Sequence, residues 1–146
     1  MASVKLICTS LVAGGASVSV DSVQAIPGQG IKGDRYCGQD TDPARQLTLV
    51  ESEVIDQFNQ EAGSEILYTA FRRNLVTEGV QLNNLVGKTF YVGTVKLCGK
   101  ELCEPCLYLQ EKLKIADLVK RLTHKGGLCC EILTGGTIRA GDNLSI

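Results

Sequence analysis

No apolar run in this chain approaches the length a bilayer-spanning helix needs, which excludes a helical membrane protein. There is no excess of positive charge either. Lys and Arg total 15 against 16 Asp and Glu, a net charge of −1, so no global basic field exists to hold a nucleic-acid backbone. Internal repeats, low-complexity segments and linkers with a shift in composition are all missing, which leaves one domain over residues 1–146 as the expectation. A secretion signal is not expected: the opening MASVKLICTSLVAGG is interrupted by Lys5, and its apolar part is too short and too β-branched. It reads as a first strand. Without such a signal, an odd number of cysteines (seven) argues for reduced thiols in a cytoplasm rather than a disulfide framework.

What is present is ordinary globular composition, 44% hydrophobic and 21% charged in 146 residues, enough to bury a real core. Short β-branched runs punctuated by glycine dominate: VKLICTS, ASVSVDSV, RQLTLVE, RRNLVT, KTFYVGTVKL, LCCEIL and GTIRAGDNLSI. Two helices can be placed among them. In VESEVIDQFNQEAG, Val50, Val54 and Phe58 share a face, Glu51 and Glu53 sit in the first turn, and Gly63 closes the end. In EKLKIADLVKRLTHKGG, Ile115, Leu118, Val119 and Leu122 form a helical stripe, and Lys120, Arg121, His124 and Lys125 crowd the negative end. Many short strands with two or three inserted short helices predict a mainly β fold, a small β-barrel whose closure removes exposed edges.

Three stretches carry candidate chemistry. In IPGQGIKGDRYCG, residues 26–38, the glycines read as tight turns, since no helix follows to make a dinucleotide loop. Arg35, between Asp34 and Tyr36, is placed either to pair with Asp34 or to face a ligand. In FRRNLVTEGV, strand alternation sends Arg73 to the face opposite Arg72 and Asn74, so one arginine should point toward a cleft; a solvated strand end is the plainer reading.

The CEPC element, Cys103 to Cys106, has several readings. A thioredoxin-type pair needs a helix N-terminus in a βαβ context, which is missing. A Cys3His zinc site would draw Cys103 and Cys106 together with His124 and Cys129 or Cys130, although adjacent strand cysteines point to opposite faces and only one could bind. A single thiol, Cys106, can act as nucleophile, sulfur carrier or soft-metal ligand, because thiolate sulfur is polarizable and strongly donating. The remaining cysteines, notably Cys8, Cys98 and one of Cys129 and Cys130, read as small buried hydrophobes.

Taken in order, GIKGDRYCG, RQLTLVE, FRRNLVTEGVQLNNLVGKTFYVG, ELCEPCLYL and HKGGLCCEILTGGTIRAGD resemble the MOSC domain, the family named for the C-terminal domain of molybdenum cofactor sulfurases. The resemblance covers nearly the whole chain and matches the small stand-alone bacterial members in length. It implies a β-barrel that handles the molybdenum cofactor or its sulfur. Members are thought to carry sulfur on one cysteine, and in the related mitochondrial amidoxime-reducing component the equivalent cysteine ligates molybdenum. That cysteine maps onto Cys106, which becomes the candidate catalytic residue and metal ligand. Arg35, Arg73 and Asn74 match motif positions for gripping the pterin and phosphate of the cofactor, with His124, Lys125 and Arg139 as second choices. A cysteine desulfurase is the implied sulfur-donor partner. The chain departs from full cofactor sulfurases in having no aminotransferase-like domain, and from the amidoxime-reducing enzymes in lacking their additional N-terminal domain. A non-catalytic barrel that binds an anion or a partner protein is the reading from another class.

Overall fold

A computed structural model describes residues 2–10, 17–34, 45–103, 118–122 and 124–146. Eleven strands and two helices are named within them. They are β1 (Ser3–Thr9), β2 (Val18–Val20), β3 (Ser22–Ile26), β4 (Gly30–Ile31), β5 (Leu47–Glu51), α1 (Ser52–Ala62), β6 (Leu75–Glu78), β7 (Thr89–Val92), β8 (Val95–Leu102), α2 (Leu118–Arg121), β9 (Leu128–Thr134), β10 (Gly136–Arg139) and β11 (Leu144–Ser145). Two 3-10 turns, Tyr68–Phe71 and Leu82–Leu85, fill connections.

The strands build one mixed eight-stranded sheet, ordered β11-β7-β8-β9-β5-β6-β1-β2, and a three-stranded sheet ordered β10-β3-β4. All ladders are antiparallel except β5 with β6, the pair whose connection contains α1. This confirms a mainly β fold with few helices. The expected closed barrel is not found: among the described residues the large sheet ends at β11 and β2. Among the described residues, β1 and the residue before it meet β11 and the chain before it through the Ser3–Asn143 bridge and backbone bonds such as Val4 N–H to Asp142 C=O at 2.9 Å and Leu144 N–H to Ala2 C=O at 3.0 Å, not through a ladder of paired strands. Two sequence runs also divide. KTFYVGTVKL becomes the β7–β8 hairpin because Gly93 takes φ +59, and GTIRAGDNLSI breaks at Gly141, φ +94.

Alternation sorts the strand residues into two apolar clusters. Leu47, Leu49, Leu75, Leu97, Leu128 and Cys130 point inward to a core that also holds Phe90 and Ile7. Val50 and Val76 point to the outer face, where Ile55, Phe58, Phe71, Leu118 and Leu122 cover them. Each such side chain removed from water contributes roughly 1.5–3 kcal/mol. Helix α1 starts at Ser52, later than the periodicity suggests, so Val50 belongs to a strand and the inward stripe is Ile55 and Phe58 with Val54 half-buried. Gly63 closes it in the left-handed region, φ 64, as the sequence predicts. Among the described residues no helix is long and apolar enough to cross a membrane.

Candidate functional site

The outer face carries one polar row between its apolar residues. Register places Thr48 beside Cys129, and Cys8 N–H donates to the Asn74 carbonyl at 2.7 Å, so Cys8, Asn74, Thr48 and Cys129 run across four neighbouring strands. Asn74 is the hub. Its Oδ1 accepts from Thr48 N–H at 3.0 Å and from Thr48 Oγ1 at 3.2 Å, and its Nδ2 donates to the Cys8 carbonyl at 3.4 Å. Its own N–H donates back to Thr48 Oγ1 at 3.0 Å. One amide side chain therefore joins β1, β5 and the start of β6.

Two arginines precede that hub. Arg73 Nε donates to the Gly126 carbonyl at 2.9 Å, fixing the backbone that leads into β9. Arg72 has left-handed backbone, φ 60, at the end of the first 3-10 turn, and this breaks the alternation the sequence suggested for the pair. Its Nε is buried and has no hydrogen-bond partner among the described residues. A buried guanidinium N–H left without an acceptor costs free energy that an anionic ligand would return.

At the other end of the row, Cys103 and Cys129 form a disulfide. The expectation of reduced thiols is corrected for this pair; Cys8, Cys98 and Cys130 are free. The bond closes because Cys103 continues β8 past its last named residue, its N–H donating to the Gly127 carbonyl at 2.8 Å, which brings its sulfur against the outward-facing Cys129. Cys130, next in sequence, points into the core as alternation requires. Burial raises the Cys8 thiol to about 11 and pushes the Cys130 thiol up further, the neighbouring Cys98 adding to it, so neither is a nucleophile near neutral pH. The bond also corrects the zinc alternative, since Cys103 and Cys129 spend their donor sulfurs on each other. Among the described residues no three His, Cys, Asp or Glu side chains stand together for a metal ion.

The other sequence candidates are distributed unevenly. Cys106 and Arg35 lie outside the described residues. The residue before Arg35, Asp34, is tied to the end of β1 by Ser10 N–H donating to its Oδ1 at 2.9 Å. His124, with left-handed φ 63, accepts a 2.8 Å hydrogen bond on its carbonyl from Asn83 Nδ2, and with Lys125 it leads directly to the Gly126 that Arg73 holds. Arg139 is not brought to this region. It ends β10 beside residues 141 and 142, which bond Val4, and Val4 is four strand residues, about 13 Å, from Cys8. A cleft of about 270 Å³ opens on the same outer face between α1 and α2, bordered by Glu51, Phe58, Asn84, Arg121 and Lys125. The Arg121 guanidinium lies 5.1 Å from the Phe58 ring centroid, and burial raises the Glu51 carboxyl above its usual range. A second groove, about 480 Å³, runs between Thr9, Gln24, Lys32 and Gly33.

Residues 34–145, the span that contains the Arg72–Asn74 hub and both bonded cysteines, match the MOSC domain. The chain belongs to the MOSC family. At the level of the family, membership gives it a molybdenum-cofactor-associated role. Solved structures agree on the MOSC fold. The YuaD protein of Bacillus subtilis is similar with a TM-score of 0.83 and 18% identity over 99% of this chain and 94% of that one. YiiM of Geobacillus stearothermophilus gives 0.79 and 18% over 99% and 74%, and YiiM of Escherichia coli 0.76 and 22% over 99% and 69%. No curated protein sequence matches the chain.

Two features of this MOSC domain were not found from sequence. Strand alternation does not single out Arg72, because it fails at a residue whose backbone is left-handed. The Cys103–Cys129 pairing had no local signal, since its members are 26 residues apart and meet only through the β8–β9 ladder.

Proposed function

We propose that this MOSC domain binds the molybdenum cofactor or carries its sulfur, with Cys106 as the working thiol. The observation that carries the reading is the buried Nε of Arg72, without a hydrogen-bond partner among the described residues, in a chain segment that runs from Phe71 of the outer apolar cluster to the Asn74 hub. An orphaned guanidinium donor suits the phosphate or another anionic edge of the cofactor better than it suits packing. Arg72 would grip that group, Arg73 and Asn74 would hold the backbone around it through Gly126, Thr48 and Cys8, Arg35 and Lys125 would add positive charge, and His124 would contribute an imidazole. When bound, the cofactor supplies molybdenum that a soft thiolate can ligate.

As a sulfur carrier, the Cys106 thiolate attacks the terminal sulfur of a protein persulfide, the class of donor a cysteine desulfurase presents. The new S–S bond forms on Cys106, and the donor cysteine leaves as thiolate. Cys106 lies three residues past Cys103, whose position is fixed by its bond to Gly127, so at most about 11 Å of chain separates their α-carbons. The family match and the fold support the cofactor class, and Cys106 with the cationic side chains is the finer proposal.

The test measures both arms on the purified full chain. Incubation with a cysteine desulfurase and cysteine should add the mass of one sulfur atom to the Cys106 peptide, absent in Cys106→Ser. Pterin and molybdenum that copurify should fall on Arg72→Ala and Cys106→Ser alike. Equal sulfur labelling of all free thiols, with cofactor content unmoved by either variant, would refute the proposal.

A further inference from the structure

We propose that Cys103 and Cys129 form a redox-active dithiol–disulfide couple that exchanges with a dithiol reductant of the thioredoxin type. The bond is redundant with the fold around it. Leu102 already pairs with Leu128, Cys103 N–H already bonds Gly127 C=O, and Arg73 already holds Gly126, so cutting the S–S bond leaves the β8–β9 connection in place. Both redox states are therefore compatible with one folded chain.

The two residues are unequally exposed: Cys103 is 5% exposed and Cys129 is half-buried, which makes Cys129 the proposed point of attack. The buried thiols nearby do not compete: Cys130 faces the core on the other side of the strand, and Cys8 lies across the sheet with its thiol held protonated by burial. The exchange proceeds in two displacements. A reductant thiolate attacks Cys129 Sγ, the Cys103–Cys129 bond breaks, and Cys103 leaves as thiolate and takes a proton. The second thiolate of the reductant then attacks its own half of the mixed disulfide and expels Cys129 as thiolate. Two electrons pass to the pair, and the reductant ends as a disulfide.

The place of the couple gives it a consequence. Its bond closes the base of the 26-residue excursion from Cys103 to Cys129, which contains Cys106, α2, His124 and Gly126. The redox state thus sets how tightly the root of that excursion is tied to the polar row. The couple is read on its own sulfurs, so its failure and that of the cofactor proposal are separable: one is a thiol count, the other a persulfide mass or a pterin content.

The experiment equilibrates the native full chain in mixtures of reduced and oxidised dithiothreitol, quenches with an alkylating reagent and assigns each cysteine by peptide mass. Cys103 and Cys129 should convert together and reversibly while far-ultraviolet circular dichroism stays native. Thioredoxin lacking its resolving cysteine should be trapped on Cys129, and the adduct should be lost in Cys129→Ser and retained in Cys98→Ser. A bond that yields only after unfolding in urea would make it a structural cross-link and overturn the proposal. So would thiols that stay free in oxidised dithiothreitol, or an adduct on Cys103.

Discussion

Replacing Asn74 with alanine tests whether the polar row is held by one side chain. The variant loses two short bonds from Oδ1 to Thr48 and a longer one from Nδ2 to Cys8 C=O, and it leaves the Thr48 N–H without its acceptor in a half-buried position. At about 1 kcal/mol for each short bond, with part of that for the long one, the loss is roughly 2–3 kcal/mol. With a urea slope of about 2 kcal/mol per molar, the unfolding midpoint should fall by roughly 1–1.5 M at constant slope. Thr48→Val supplies the cycle partner, because it removes Oγ1, which both donates to Asn74 and accepts from it, but leaves the backbone bond in place. The pair should couple by about 1 kcal/mol, the double variant being less unstable than the sum of the singles. Equilibrium unfolding of all four proteins in one fixed redox buffer decides it. A loss below about 0.5 kcal/mol for Asn74→Ala, or strict additivity with Thr48→Val, would refute the hub.

Gly127→Ala should destabilise by roughly 3 kcal/mol or more, because φ is +116 and a Cβ would collide with the Leu49 carbonyl. Gly87→Ala, with φ +78 and open space around the new methyl, should cost only about 1 kcal/mol by the same assay. Burial lifts Cys8 from 9.0 to about 11, so the unfolded chain gives up this proton first as pH rises. The contribution of Cys8 to stability should be intact below pH 9 and decline between 9 and 11, a decline that Cys8→Ala removes from the pH profile of the urea midpoint. Reducing the Cys103–Cys129 bond should lower unfolding free energy by about 3.5 kcal/mol, from the loop entropy of 26 residues, while leaving the native circular dichroism spectrum unchanged. Unfolding curves with and without dithiothreitol measure it.

Much of this domain was legible from the chain alone, because local physics decides those parts. Alternation in LTLVE and LCCEIL set which residues face the core and sent Cys129 and Cys130 to opposite sides. Gly63 ends α1 where a left-handed residue is needed, and the ordered motifs from Gly30 onward carry the MOSC resemblance. Pairing between distant segments was not legible. Strand composition does not say whether a sheet closes, and only the ladder order shows β11 and β2 as its ends among the described residues. Nor does spacing say which cysteines meet: Cys103 and Cys106 share a short motif, yet the sulfur that Cys103 bonds belongs to Cys129, brought alongside by strand register. The division between Arg72 and Arg73 was tertiary as well. A left-handed turn at Arg72 and the carbonyl of Gly126, 53 positions beyond Arg73, left one guanidinium engaged and the Nε of the other buried without an acceptor among the described residues. Side-chain periodicity is a property of neighbours along the chain, whereas hydrogen-bond and sulfur partners depend on which strands come to lie side by side.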